Sequence, residues 1–119
     1  MSSKDIGAQA EELALQYLQQ QGLSVVNRNY HCRRGEIDLI MIDTDTLVFI
    51  EVRYRKSALF GGALESVNYA KQKRIIHTAQ HYLQQQSASH DNYRFDVIAI
   101  SSNQSNPEIT WIKDAFQLN

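Results

Sequence analysis

GEIDLIMIDTDTLVFIEVRYR, residues 35–55, decides how the chain is read. Two apolar runs, Glu36 to Ile42 and Thr46 to Tyr54, flank Asp43-Thr44-Asp45, a cluster of turn-forming residues. The stretch predicts a β-hairpin. Side chains alternate along a strand, so Glu36, Asp38, Ile40 and Ile42 share one face and Ile37, Leu39 and Met41 the other. On the second strand Leu47, Phe49, Glu51 and Arg53 lie together. A loop of two residues, or four, pairs 43 with 46, which sets Asp38 opposite Glu51 and Glu36 opposite Arg53. Facing residues have Cβ atoms about 4.5–5.5 Å apart, and like charges placed so destabilise a sheet. An odd loop without a bulge would send the two carboxylates to different faces.

Carboxylates held together among apolar neighbours need relief. Either a raised pKa neutralises one of them or a cation is shared between them. Mg²⁺ suits a site with few protein ligands, since it keeps waters and takes substrate phosphate oxygens; Mn²⁺ fits too. Zinc fits less well, because Cys32 has no cysteine partner and the His77/His81 pair, at helical spacing, shows no third ligand. Arg53 brings a permanent positive charge to the acidic pair, able to grip a phosphate but unable to act as a base. The plainer reading is a Glu36–Arg53 ion pair across the strands with Asp38 at the sheet's rim.

Around the hairpin, residues 4–21 read as an amphipathic helix carrying Ile6, Ala10, Leu13, Ala14, Tyr17 and Leu18, stopped by Gly22. Glu11 lies at the edge of that stripe, and Glu12 points to solvent. Leu23 to Tyr30 reads as a strand. A Gly-containing loop, residues 55–63, precedes a helix from Asn68 to Gln86. Two strands close the chain, Tyr93 to Ser101 and Ile109 to Ile112, separated by a loop containing Pro107. The order is helix, three strands, helix, two strands, in one domain, 1–119. Asp96 reads as a buried, hydrogen-bonded or salt-bridged aspartate.

The chain has 119 residues, 43% of them hydrophobic, which is ordinary for a folded domain. Its single cysteine and lack of a charged-then-apolar leader point to a soluble cytoplasmic protein, with neither export nor membrane insertion. The net charge is −1, yet nine of the 12 Lys and Arg residues fall between Arg28 and Arg74. Arg33, Arg34, Arg55, Lys56 and Lys71 are candidates for a phosphate-facing surface on a nucleic acid. Lys71 also falls in the first turn of its helix, where backbone N–H groups favour an anion.

Taken together, GAQAEELALQYLQQQG, NRNYHCRRGEIDLIM, LVFIEVRYRKSALFGGALESV, RFDVIAI and WIKDAF resemble the YraN family. These are small uncharacterised bacterial proteins of the restriction-endonuclease-like PD-(D/E)xK superfamily, similar to archaeal Holliday junction resolvases. The resemblance covers nearly the whole chain. It implies an α/β fold with a mixed sheet of about five strands between helices, in the order αβββαββ, and a catalytic hairpin at its centre. It also implies that Glu11 matches the family's helical Glu, Asp38 its motif Asp and Glu51 the Glu of its E-x-K element. Arg53 stands where that element has lysine.

The expected function is a metal-dependent endonuclease acting on branched or damaged DNA. Asp38 and Glu51 would hold Mg²⁺ or Mn²⁺ with Glu11 assisting, and Arg53 would stabilise the transition state. Related nucleases often pair into dimers, since a duplex has two strands to cut. The rival readings are a nucleic-acid-binding module that has lost its chemistry and a protein-interaction adaptor.

Overall fold

Helical periodicity in the first twenty residues becomes α1, Ser3–Gln20. It ends where the N–H of Leu23 reaches back to the Leu18 carbonyl at 3.0 Å, with Gly22 at φ 100° in the left-handed conformation such an ending requires. Strands β1 (Ser24–Cys32), β2 (Gly35–Asp43) and β3 (Thr46–Arg55) follow. Then come α2 (Tyr69–Gln85), β4 (Tyr93–Asn103) and β5 (Asn106–Phe116). This computed structural model describes residues 3–55, 67–86, 92–103 and 106–117. Lys56 and most of the loop at 55–63 lie outside them.

The five strands form one sheet in the order β1-β2-β3-β4-β5. β3 and β4 are parallel, with α2 between them in the chain, and the other neighbours are antiparallel. The architecture is α/β, with the mixed sheet and the order αβββαββ that the sequence implied. Because a helix packs on each face, the central strands are apolar on both sides and read as nearly continuous hydrophobic runs. Leu39, Met41, Val48, Ile50, Ile98 and Ile100 meet α1. Ile40, Leu47, Phe49, Phe95 and Val97 meet α2. Each such side chain contributes about 1.5–3 kcal/mol by leaving water.

Three expectations change. The buried face of α1 comprises Ala10, Ala14, Leu15 and Leu18, while Leu13 is exposed. At 100° per residue the face is rotated by roughly 60° from the expected stripe, which moves Glu11 from its edge to its middle. Pro107 does not lie in a loop: it pairs with Ser102 inside β5, which continues past Ile112 to Phe116. β5 is an edge strand, so a missing N–H on its outer side breaks no ladder bond. Lastly, Ile37 packs with Ile40 on the α2 side instead of joining Leu39 and Met41, so the alternation of β2 breaks around Asp38.

Asp96 is fully buried and satisfied. Its carboxylate accepts from Arg94 Nε at 3.0 Å, Trp111 Nε1 at 2.9 Å and the Asp114 N–H at 2.9 Å. Arg94 also donates to Asp43 at 2.9 Å, tying the end of β2 to β4. With every buried side-chain polar atom among the described residues hydrogen-bonded, this network is structural.

Candidate acidic site in a basic cleft

The turn between β2 and β3 fixes the site. Asp43 pairs with Thr46 across a two-residue loop, and pairing continues through Ile42–Leu47, Met41–Val48 and Ile40–Phe49 to Leu39–Ile50. That is the expected register, but the ladder stops one step short of Asp38 and Glu51. Asp38 Oδ2 instead accepts the Val52 N–H at 2.8 Å, so a side chain takes the place of the next backbone acceptor. The expected ladder pairs Asp38–Glu51 and Glu36–Arg53 therefore do not form. Glu36 lies opposite His31 of β1, and Arg53 opposite Ala99 of β4.

Asp38 and Glu51 nevertheless meet. Glu51, a residue only 8% exposed, hydrogen-bonds through its carboxyl to Asp38. Burial first, then that bond and the charge of Asp38, push its pKa from 4.5 up to about 9, against the opposing pull of Lys71 and Arg53. Glu51 therefore holds a proton at neutral pH. Lys71 Nζ stands 3.5 Å from Glu51 Oε2, but with Glu51 protonated the contact is between an ion and a dipole. Glu11 is half-buried on α1, and its pKa is also raised, by burial and by Asp38 and Glu36. Arg28 and a hydrogen bond with Asn29 oppose that shift.

A cleft of about 370 Å³ opens on Glu51, and Asp38, which does not line it, is reached through Glu51. The β1–β2 turn forms one wall with Arg33, Arg34 and Glu36, α2 forms the other with Lys71 and Arg74, and Glu51 lies between them. Gly35 lets the walls approach: at φ 158° it faces α2, and a Cβ there would sit 3.2 Å from the Thr78 hydroxyl oxygen. Of the residues expected at the site, Glu51, Arg33, Arg34 and Lys71 line the cleft, and Asp38 joins them through its hydrogen bond with Glu51. Arg53 is half-buried two positions along β3 and acts on Glu51 through its charge. Arg55 is half-buried at the end of β3 and does not line the cleft. Glu11 reaches Asp38 electrostatically from the α1 side.

The N–H of Lys71 is not open to an anion, as its place in the first turn suggested. It donates to the Asn68 side chain at 2.9 Å, which caps α2. Two participants escaped the sequence reading. Asn29, at φ 54°, bonds Glu11 from a left-handed position inside a strand, and only the tolerance of Asn for that conformation hinted at it. Val52 serves through its backbone, which no side-chain pattern reports. Arg74, which lines the cleft, was one of the nine regional basic residues read as a candidate phosphate-facing surface.

The donor set can be weighed against a metal. A protonated carboxyl hydrogen-bonded to a second one is what a cation-binding acid pair becomes without its cation, and all-oxygen donors suit a hard divalent ion. Among the described residues no three His, Cys, Asp or Glu side chains are grouped to hold an ion, so Glu11 does not close a three-ligand set. Two carboxylates fit an ion that retains water, and Mg²⁺ and Mn²⁺ meet that description. They do not make a closed zinc site.

Residues 10–100 match the profile of the uncharacterised protein family UPF0102. A UPF0102 protein of Nitrosococcus oceani is 53% identical over 116 residues, covering 97% of this chain and 94% of the relative. One from Psychromonas ingrahamii is 55% identical over 117 residues, covering 98% and 93%. A third, from Pseudomonas aeruginosa, is 48% identical over 118 residues, covering 97% and 94%. The chain belongs to the UPF0102 family, the YraN family of the sequence resemblance.

Proposed function

We propose that the protein hydrolyses phosphodiester bonds in DNA, using Mg²⁺ or Mn²⁺ held by Asp38 and Glu51. One observation carries this reading: a buried Glu51, its pKa shifted up to about 9 by burial and by half-buried Asp38 beside it, lining a cleft walled by Arg33, Arg34, Lys71 and Arg74. A carboxyl buried beside a second one is expensive to keep for stability alone, and strongly shifted carboxyls gather at functional sites. The ion, when bound, would supply a water of lowered pKa and offset charge on the phosphate.

The chain's own residues do the rest. The Val52 N–H fixes Asp38 in orientation, and Glu51 serves in its ionised form. Lys71 and Arg53 bring positive charge to the reacting phosphate, and Arg53, always protonated, stabilises charge without taking a proton. Glu11 supports Asp38 from the α1 side. Arg33 and Arg34 hold the backbone on either side of the break.

The test is a cleavage panel of single-stranded, duplex, nicked and four-way DNA with Mg²⁺ or Mn²⁺. Cleavage by the wild type that falls by a factor of about 10² or more in Asp38→Ala and in Glu51→Ala is the expected result. Cleavage that survives both substitutions removes the site assignment. Arg53→Lys reports on the arginine: a faster variant shows that arginine limits the chemistry, and a slower one shows that the site is adapted to it. A second reading, a nucleic-acid-binding module without chemistry, draws on Arg53 standing in place of lysine. Salt-sensitive binding with no divalent-dependent cleavage would favour it.

A further inference from the structure

Beyond the β1–β2 turn the cleft does not end. A second cavity of about 390 Å³ is lined by Arg33 and Arg34 and by His77, Gln80, His81 and Gln84 of α2. Cys32, Arg33 and Arg34 border both cavities, which makes them two halves of one groove between the turn and the helix. At 1.5 Å rise per residue the α2 residues of the two halves are centred roughly 10 Å apart, so one strand could occupy both.

The halves differ in chemistry. The first holds carboxylates and suits a scissile phosphate. The second has no acidic lining residue and adds two uncharged amides and two imidazoles to the shared guanidinium groups. The Tyr30 hydroxyl, 2.6 Å from His81 Nδ1, holds one of those rings in place. Amides offer donor and acceptor together, which matches a base edge rather than a phosphate. The volume, about 390 Å³, is that of a site for one small molecule and is enough for a single base. Arginine planes give such a base a surface to lie on.

We propose that this second cavity seats one unpaired nucleotide next to the cleaved phosphate, so that the substrate is single-stranded or frayed DNA. The proposal rests on the phosphodiesterase reading above. It is tested by fluorescence anisotropy on the full chain in EDTA at low salt, with a short labelled DNA strand and with its duplex. The strand is expected to bind about tenfold tighter than the duplex. Gln80→Ala combined with Gln84→Ala is expected to lose about tenfold on the strand and nothing on the duplex. Thermal melting checks that this double variant folds; if it melts early, Gln84→Glu at its exposed position should weaken strand binding by repulsion. Equal affinity for strand and duplex, or full strand affinity in the variants, overturns the seat and leaves the phosphodiesterase reading standing. Failure to bind either DNA overturns both.

Discussion

Asp38 is where a repeating pattern gives way to a particular need. The alternation that places Ile40 and Ile42 on one face fails just before it, and its carboxylate replaces a ladder acceptor for the Val52 N–H. The meeting of Asp38 and Glu51 was legible on the condition of an even loop at Asp43-Thr44-Asp45, and the two-residue turn meets it. How they meet was not, since a side chain's capture of a backbone donor leaves no periodic trace. Gly35 makes a related point at the next turn. Gly35→Ala should destabilise the fold by about 1–2 kcal/mol, because the Thr78 hydroxyl, 3.2 Å from the added Cβ, must yield. Gly22→Ala, with open space around it, would instead reveal backbone strain alone. Denaturant melts measure both, and an unchanged midpoint for Gly35→Ala would refute the close packing of α2 on the turn.

Among the elements, α2 matters most to the site, since it brings Lys71 and Arg74 to the hairpin. Its extent was plain from the sequence, with Ile75, Ala79 and Tyr82 at helical spacing, and its start was signalled by Asn68. The role of that cap was not, because a basic residue in a first turn also suggests an anion site. Asn68→Ala should cost about 1 kcal/mol and loosen Lys71 from Glu51. A melt unchanged by the substitution would show that the cap is dispensable. The orientation of α1 was the hardest to read. Small apolar residues such as Ala10 and Ala14 define its face more than Leu13 does, since only short side chains let a helix lie close to a sheet. Pro107 misled for a simpler reason: proline breaks interior strands and is tolerated at edges, and the sequence does not say which strand is the edge.

The whole molecule carries the charge of the site in its stability. The folded state holds the Glu51 proton more tightly than an unfolded chain, whose carboxyl titrates near 4.5. The stabilisation is complete below that value and is lost as pH rises toward about 9. Glu11, also raised, adds in the same direction. The metal-free protein should therefore lose stability between pH 5 and 9, with Glu51→Gln flattening the slope and gaining roughly 2 kcal/mol at pH 8. A wild-type stability that rises over that range would contradict the buried, protonated Glu51. The order of the elements was legible from hydrophobic pattern, and the mixed sheet between helices from the family resemblance. The position of the cleft was not, since it depends on how closely α2 approaches the β1–β2 turn.

All of this turns on a proton shared by two carboxyls that a cation would displace. Calorimetric titration of the full chain with Mn²⁺ at pH 7, in buffers of different ionisation enthalpy, measures that directly. The account predicts that one ion binds with release of close to one proton, and that both the binding and the release are lost in Glu51→Gln and in Asp38→Asn. Binding without proton release, or binding that persists unchanged in those variants, would contradict it.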